Sequence, residues 1–120
     1  MKKLIYWLPT FVWMMVIFSF SARPAIQASS FDLLDFLIKK TAHFVEYFIL
    51  TLLLSFSFKK TTSFSLVRIL VYSVTIAMIY AISDEGHQTF VPGRDGRLRD
   101  VIIDTTGILT SSFVVKKRLK

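Results

Sequence analysis

The sequence TAHFVEYFILTLLLSFSF (residues 41–58) is an apolar run of the length that crosses a lipid bilayer as an α-helix. Within it, His43, Glu46 and Tyr47 follow the i, i+3, i+4 spacing that places side chains on one face of a helix. Ionisable groups at membrane depth are costly and normally face the interior of a bundle. The run therefore predicts a membrane helix whose polar face is turned toward other helices.

Three further apolar runs predict that the whole chain is built in the same way. The last of the four runs along the chain is the least hydrophobic, since it contains Asp100, Asp104 and several Thr and Ser residues. Together the runs predict an all-α integral membrane bundle of four transmembrane helices, in a single domain of residues 1–120. The predicted spans are residues 4–20, 41–58, 66–83 and 98–115.

Two features before the second span bear on the number and type of helices. Residues 4–20 follow two lysines and could be read as a signal peptide, but the run is longer than the usual apolar region and three spans follow it. Before the second span, Phe31, Leu34 and Ile38 share a helical face. That pattern predicts a short helix lying along the membrane interface.

Composition excludes several functional classes. The chain is 53% hydrophobic and has no cysteine, so disulfides and thiolate chemistry are absent. The net charge is +7, but the basic residues flank the apolar runs and do not form one basic surface. A nucleic-acid partner is therefore not predicted.

The charged residues are divided unequally between the two predicted sides of the membrane. The side with both termini carries nine basic residues and no acidic one, whereas all eight acidic residues belong to the other side. Because cytoplasmic segments carry an excess of Lys and Arg, this division predicts a multi-pass protein with both termini in the cytoplasm. The nine basic residues are Lys2, Lys3, Lys59, Lys60, Arg68, Lys116, Lys117, Arg118 and Lys120.

Polar side chains also recur at the outer end of the third and fourth spans. If the third helix continues past residue 83, Asp84, His87 and Gln88 repeat the spacing found in the second span. In the fourth span, Asp104 precedes Gly107, a residue small enough to let another helix approach closely. We expect these polar faces to converge in one outward-facing site.

The loop between these two helices contributes arginines. Pro92 and Gly93 predict a turn, which would bring Arg94, Arg97 and Arg99 over the mouth of the site. Guanidinium groups could clamp a phosphate or pyrophosphate on a lipid carrier. Alternatively, they pair with neighbouring acidic groups or with anionic lipid headgroups.

The candidate roles follow from side-chain chemistry. No nucleophile motif is present, so the candidate catalytic residues are general acids and bases: Asp84, Glu85 and His87. Several of the polar residues are metal-ligand types, but no H-E-x-x-H motif occurs, and neither a metal site nor a cofactor is predicted. The alternative is a buried network of ion pairs that joins the helices. The candidate binding residues are His43, Glu46, Tyr47, Gln88, Arg94, Arg97, Arg99, Asp100 and Asp104.

Three motifs resemble those of the VanZ-like family of bacterial membrane proteins. DEGHQTFVPGR (residues 84–94) is similar to the family pattern DE-x-x-Q-x-F-x-P-G-R, and KTAHFVEY (residues 40–47) is similar to K-x-x-H-F-x-x-Y. Asp100, Asp104 and Gly107 match D-x-x-x-(N or D)-x-x-G, although many members have Asn where this chain has Asp104. Asp104 therefore adds a titratable group at a position where many family members carry a neutral amide.

The resemblance implies a role in the envelope of a bacterial cell, because the family's type member is linked to resistance to the glycopeptide teicoplanin. The predicted function is recognition or modification of a lipid-linked or cell-wall group by the outward-facing polar site. The expected partners are membrane lipids, a lipid-linked cell-wall precursor or an anionic headgroup. A non-catalytic binding or protective protein and a small ion or proton pathway are the alternatives.

Overall fold

The described part of the chain is helical throughout. The computed structural model describes the backbone of residues 2–21, 32–88 and 98–119, and contains no β-strand in these ranges. This result confirms the all-α prediction. The elements are a 3₁₀ helix over Lys2–Tyr6 and four α-helices: α1 (Leu8–Ser21), α2 (Asp32–Thr61), α3 (Leu66–Gln88) and α4 (Leu98–Leu119).

The first helical segment is divided in two near its start. The 3₁₀ helix ends at Tyr6, and α1 begins at Leu8 with Pro9 in its first turn. Proline has no N–H to donate and its ring disfavours helical geometry in the preceding residue, so it is tolerated only at a helix start. α1, which corresponds to the predicted span over residues 4–20, is therefore only 14 residues long.

The second helix is longer than the sequence pattern predicted. A separate interfacial helix before residue 41 was expected, but the structure shows one continuous helix of 30 residues from Asp32 to Thr61. This prediction was wrong, because nothing in that range interrupts a helix: it contains neither Gly nor Pro. Likewise, α3 continues five residues beyond Ser83, and its last turn carries the acidic residues Asp84 and Glu85.

Consecutive helices run in opposite directions, so α2 and α4 are parallel. Tyr47 of α2 contacts Asp84 near the end of α3, and Phe58 near the end of α2 packs on Tyr72 near the start of α3. The helices enclose a core in which Ala77 and Ala81 keep α3 close to its neighbours. The other core residues are Ile17, Tyr47, Leu50, Leu54 and Ile108.

Hydrogen bonds between side chains and neighbouring helices attach α1 to this bundle. The indole of Trp13 donates to the Glu46 carbonyl oxygen over 2.8 Å, and the Tyr80 hydroxyl donates to the Met14 carbonyl oxygen over 2.6 Å. The N-terminal segment is thus packed into the fold by specific polar contacts as well as by apolar ones.

The outer surface of the bundle is apolar. Met15, Val67 and Phe113 expose 70%, 69% and 60% of their surface, which suits contact with lipid. Two stretches of the described residues, Leu37–Thr61 and Leu66–His87, are long and apolar enough to cross a membrane, while the apolar stretch Lys3–Ser19 is shorter. α4 is long enough but is not among the two, since its composition is more polar.

Candidate functional site

Three helices bring buried polar side chains together at one end of the bundle. This end is formed by the first half of α2, the last turn of α3 and the first turns of α4. Such side chains would be costly in a lipid-facing position, so the helices turn them toward one another. The buried polar residues of this end are His43, Tyr47, Asp84, Glu85 and Asp104, a group called the polar cluster below.

A histidine and an aspartate join α2 to α4 within the polar cluster. The Nδ1–H of His43 donates to Oδ1 of Asp104 over 3.1 Å. Asp104 has no exposed surface and His43 exposes 9% of its own. In a low-dielectric interior such a contact is stronger than it would be in water. The pair therefore fixes the rotation of α4 relative to α2.

A second polar contact joins α2 to α3. The hydroxyl of Tyr47 donates to Oδ2 of Asp84 over 3.1 Å, and both residues are buried. Tyr47 lies four residues after His43, so a single face of α2 contacts both neighbouring helices. This arrangement confirms the expectation that the polar face of the second helix points into the bundle.

Glu85 completes the polar cluster next to the His43–Asp104 pair. It exposes only 4% of its surface. One ligand atom each from His43, Glu85 and Asp104 lies within 4.8 Å of the other two. Because nitrogen and carboxylate oxygen are common ligands of divalent ions, these three side chains could hold a metal.

A glycine allows α4 to approach α2 next to the polar cluster. A Cβ atom placed on Gly107 would lie 2.5 Å from the backbone oxygen of Phe44. No larger residue fits there without a shift of one helix. The prediction that Gly107 permits a close helix approach is confirmed. Because Phe44 directly follows His43, this close approach also explains why the His43–Asp104 contact can form.

Two further candidate residues make contacts with α1. The ring of His87 packs against Phe18 of α1, with 4.9 Å between the centroids, and its Nδ1 has no hydrogen-bond partner among the described residues. Glu46 is half-buried on α2, and its backbone oxygen accepts the hydrogen bond from Trp13. Neither residue belongs to the group of three ligand atoms around Asp104.

The remaining five candidate residues lie, wholly or in their side chains, outside the part of the chain that the structure describes. Arg94 and Arg97 lie outside the described residues, and the same holds for the side chains of Gln88, Arg99 and Asp100. Their roles stay predictions.

Trp13 is a supporting residue that the sequence analysis did not single out. Its indole holds α1 against α2 one turn from His43, through the Glu46 carbonyl oxygen. A signal was present in the sequence, because a tryptophan inside an apolar span requires an acceptor for its indole N–H. The acceptor itself was not predictable, since every residue offers a backbone carbonyl.

One protein family matches the sequence over nearly its whole length. The family model described as VanZ/LLP1 matches residues 5–119. No curated protein matches the sequence, and no solved structure does. The matched range includes every helix that contributes to the polar cluster.

Proposed function

The chain belongs to the VanZ/LLP1 family, and from this premise we propose that it is a multi-pass protein of the bacterial cell membrane that recognises a lipid-linked or cell-wall group. In this proposal the polar cluster faces the outer side of the membrane and contacts the polar part of the ligand. Resistance to teicoplanin, to which the family resemblance points, would be a consequence of that recognition.

The observation that carries the proposal is the convergence of five buried polar side chains in a bundle with an apolar outer surface. Asp84, Glu85 and Asp104 are carboxylates, which accept hydrogen bonds, and each exposes 5% of its surface or less. Burying so many polar groups opposes folding unless each is well paired. Their concentration at one end of the bundle supports a functional role beyond helix packing.

The chemistry of the polar cluster favours a ligand with two kinds of polar group. Its carboxylates would repel a bare phosphate but would accept hydrogen bonds from sugar hydroxyls or amines. A phosphate on the same ligand would require cations, which the arginines of residues 94–99 can supply. A lipid-linked cell-wall precursor combines both features, and for this reason we prefer it to a simple anionic headgroup.

The orientation of the protein is a further part of the proposal. The basic residues of the last turns of α2 and α4, such as Lys60 and Lys117, lie at the end of the bundle opposite the polar cluster. By the positive-inside rule that end is cytoplasmic. We propose four spans, in which α1 and α4 also cross the membrane as members of the bundle. α1 is shorter than α2 and α3, and α4 is more polar than they are.

Reporter fusions test this orientation. We expect fusions after Lys60 and Lys120 to report a cytoplasmic location and a fusion in the loop at Gly96 to report an external one. A cytoplasmic Gly96 would move the polar cluster to the inner leaflet and would contradict recognition of an external group. Fusions at Lys60 and Lys120 on different sides would contradict the four-span topology.

Substitution of Arg94 tests recognition of a phosphate group. Native mass spectrometry of the protein purified with bacterial lipid extract should detect a retained phosphate-containing lipid. Arg94→Lys should weaken its retention about tenfold, because an ammonium cannot reproduce the two-pronged contact of a guanidinium and one charge-assisted hydrogen bond contributes about 1.5 kcal/mol. The proposal places Arg94 at the water-exposed mouth of the site, where an ion pair contributes only about 0–1 kcal/mol, so thermal unfolding should change little.

The same measurement separates the proposal from its alternatives. Normal lipid retention by Arg94→Lys, combined with unfolding of Arg94→Ala, would show that this arginine neutralises a carboxylate inside the bundle. Retention of no lipid by the unmodified protein would contradict recognition of a lipid-linked group and would favour an ion pathway. A matched control is Arg68→Lys on the cytoplasmic end, which should leave lipid retention unchanged.

A further inference from the structure

We propose that His43, Glu85 and Asp104 form a binding site for one divalent transition-metal ion, Zn²⁺ or Mn²⁺. These residues come from three different helices, α2, α3 and α4, so the ion would connect all three. The inference concerns the polar cluster alone and stands whether or not the protein recognises a lipid-linked group.

Interatomic distances support this assignment. Zinc binds histidine nitrogen and carboxylate oxygen at about 2.0–2.2 Å, so two ligand atoms on one ion lie about 3.0–3.5 Å apart in tetrahedral or octahedral geometry. The 3.1 Å between His43 Nδ1 and Asp104 Oδ1 falls in this range. All three ligand atoms lie within 4.8 Å of one another, and rotation of the Glu85 side chain could shorten its distances to the other two.

The ligand types and their charge select the kind of ion. Imidazole nitrogen suits zinc and other transition metals, whereas carboxylate oxygen suits zinc and manganese but also magnesium and calcium. One histidine with two carboxylates is therefore expected to prefer Zn²⁺ or Mn²⁺ over Mg²⁺. On metal binding Nδ1 of His43 gives up its proton, so that the neutral ring carries its hydrogen on Nε2. The two carboxylates then supply two negative charges, which match a dication in this buried location.

The surrounding contacts would hold the three ligands in position. The approach of Gly107 to the Phe44 backbone fixes α4 beside His43, and the hydrogen bond from Tyr47 to Asp84 fixes the turn of α3 that carries Glu85. Such preorganisation reduces the cost of assembling a site on binding. Three protein ligands also leave a coordination position open for water or for an oxygen atom of a bound ligand.

A direct His43–Asp104 ion pair without metal is the competing explanation for the same contact, and metal binding distinguishes the two. The full chain is purified in detergent, stripped with a chelator and titrated with Zn²⁺, Mn²⁺ or Mg²⁺ alone. Elemental analysis measures bound metal per chain, and thermal unfolding measures stabilisation. We expect about one Zn²⁺ or Mn²⁺ per chain, a higher unfolding temperature on binding, and little effect of Mg²⁺.

Single substitutions then identify the ligands. Glu85→Gln and Asp104→Asn should each weaken binding by about 100-fold or more, since removal of even an indirect supporting group costs about 10–100-fold. The matched control is Asp84→Asn, which removes the neighbouring carboxylate charge but leaves all three ligands in place. It should weaken binding by less than about tenfold, because the asparagine oxygen can still accept the hydrogen bond from Tyr47 and the local electrostatic field is what changes.

Several outcomes would overturn the proposal. One is absence of stoichiometric metal in the stripped and titrated unmodified protein, a measurement that stays decisive even if the variants fail to fold. Another is an equal loss of affinity in Asp84→Asn and Glu85→Gln, which would indicate a charge effect without coordination. Lipid retention that persists in the presence of chelator, together with absent metal binding, would refute the metal site while leaving the proposed recognition function intact.

Discussion

His43→Leu is expected to lower the free energy of unfolding of the metal-free protein by about 3–5 kcal/mol, the range seen when one member of a buried ion pair is removed. Asp104 has no exposed surface, and the substitution takes away the imidazole that donates to its Oδ1. The carboxylate then keeps its desolvation cost but loses this donor. Reversible unfolding in detergent, followed by circular dichroism, measures the change.

Substitution of Asp104, alone and together with His43, provides the control. Asp104→Leu leaves behind a histidine that can be neutral, so its cost should be smaller, about 1–3 kcal/mol for a buried polar group that lost its partner. The double variant His43→Leu with Asp104→Leu should approach or exceed the stability of the unmodified protein, because replacement of a whole buried pair by apolar residues is often neutral or stabilising. Additive effects of the two single substitutions would show that the residues do not interact energetically.

Gly107→Ala is expected to destabilise the protein by about 1–3 kcal/mol, as overpacking of a close contact does. The added Cβ would lie 2.5 Å from the Phe44 backbone oxygen, and a backbone atom cannot turn aside as a flexible side chain can. α4 must therefore move away from α2, which also lengthens the His43–Asp104 contact. Thermal unfolding measures the loss of stability, and the metal titration measures how far the three proposed metal ligands are moved out of position.

Gly86→Ala is the matched control for this prediction. Gly86 also lies inside a helix, but a Cβ added there meets no atom within 4 Å. Because alanine is favoured over glycine in helices by about 1 kcal/mol, this variant should be as stable as the unmodified protein or more stable. Equal destabilisation by both substitutions would contradict the close approach at Gly107.

Local patterns in the sequence account for the elements and for most of the polar cluster. The 3.6-residue helical period placed His43 and Tyr47 on one face of α2, and the structure confirms that this face points into the bundle. The expectation that Gly107 permits close packing is also confirmed. The polar face of α3 was predicted only on the condition that this helix continues past Ser83, which it does.

Other features depend on how the helices pack against one another. The sequence suggested a separate interfacial helix before the second span, yet α2 is continuous because its backbone can keep hydrogen-bonding through Lys39 and Lys40 without a break. Asp84 and His87 are three residues apart, but Asp84 contacts α2 whereas His87 packs on α1. α3 contacts both of those helices, so residues that are close together on its surface meet different partners.

The sequence by itself determined the family, the helical class, the separation of acidic from basic residues and the types of side chain that converge at one end. These properties depend on local spacing and composition, which packing does not alter. Only the tertiary structure decided that Asp104 pairs with His43, that Asp84 pairs with Tyr47, and that Glu85 lies beside the first of these pairs. Those choices depend on the relative rotation and height of three helices, which are set by the contact of Gly107 with Phe44 and by the small residues Ala77 and Ala81 of α3.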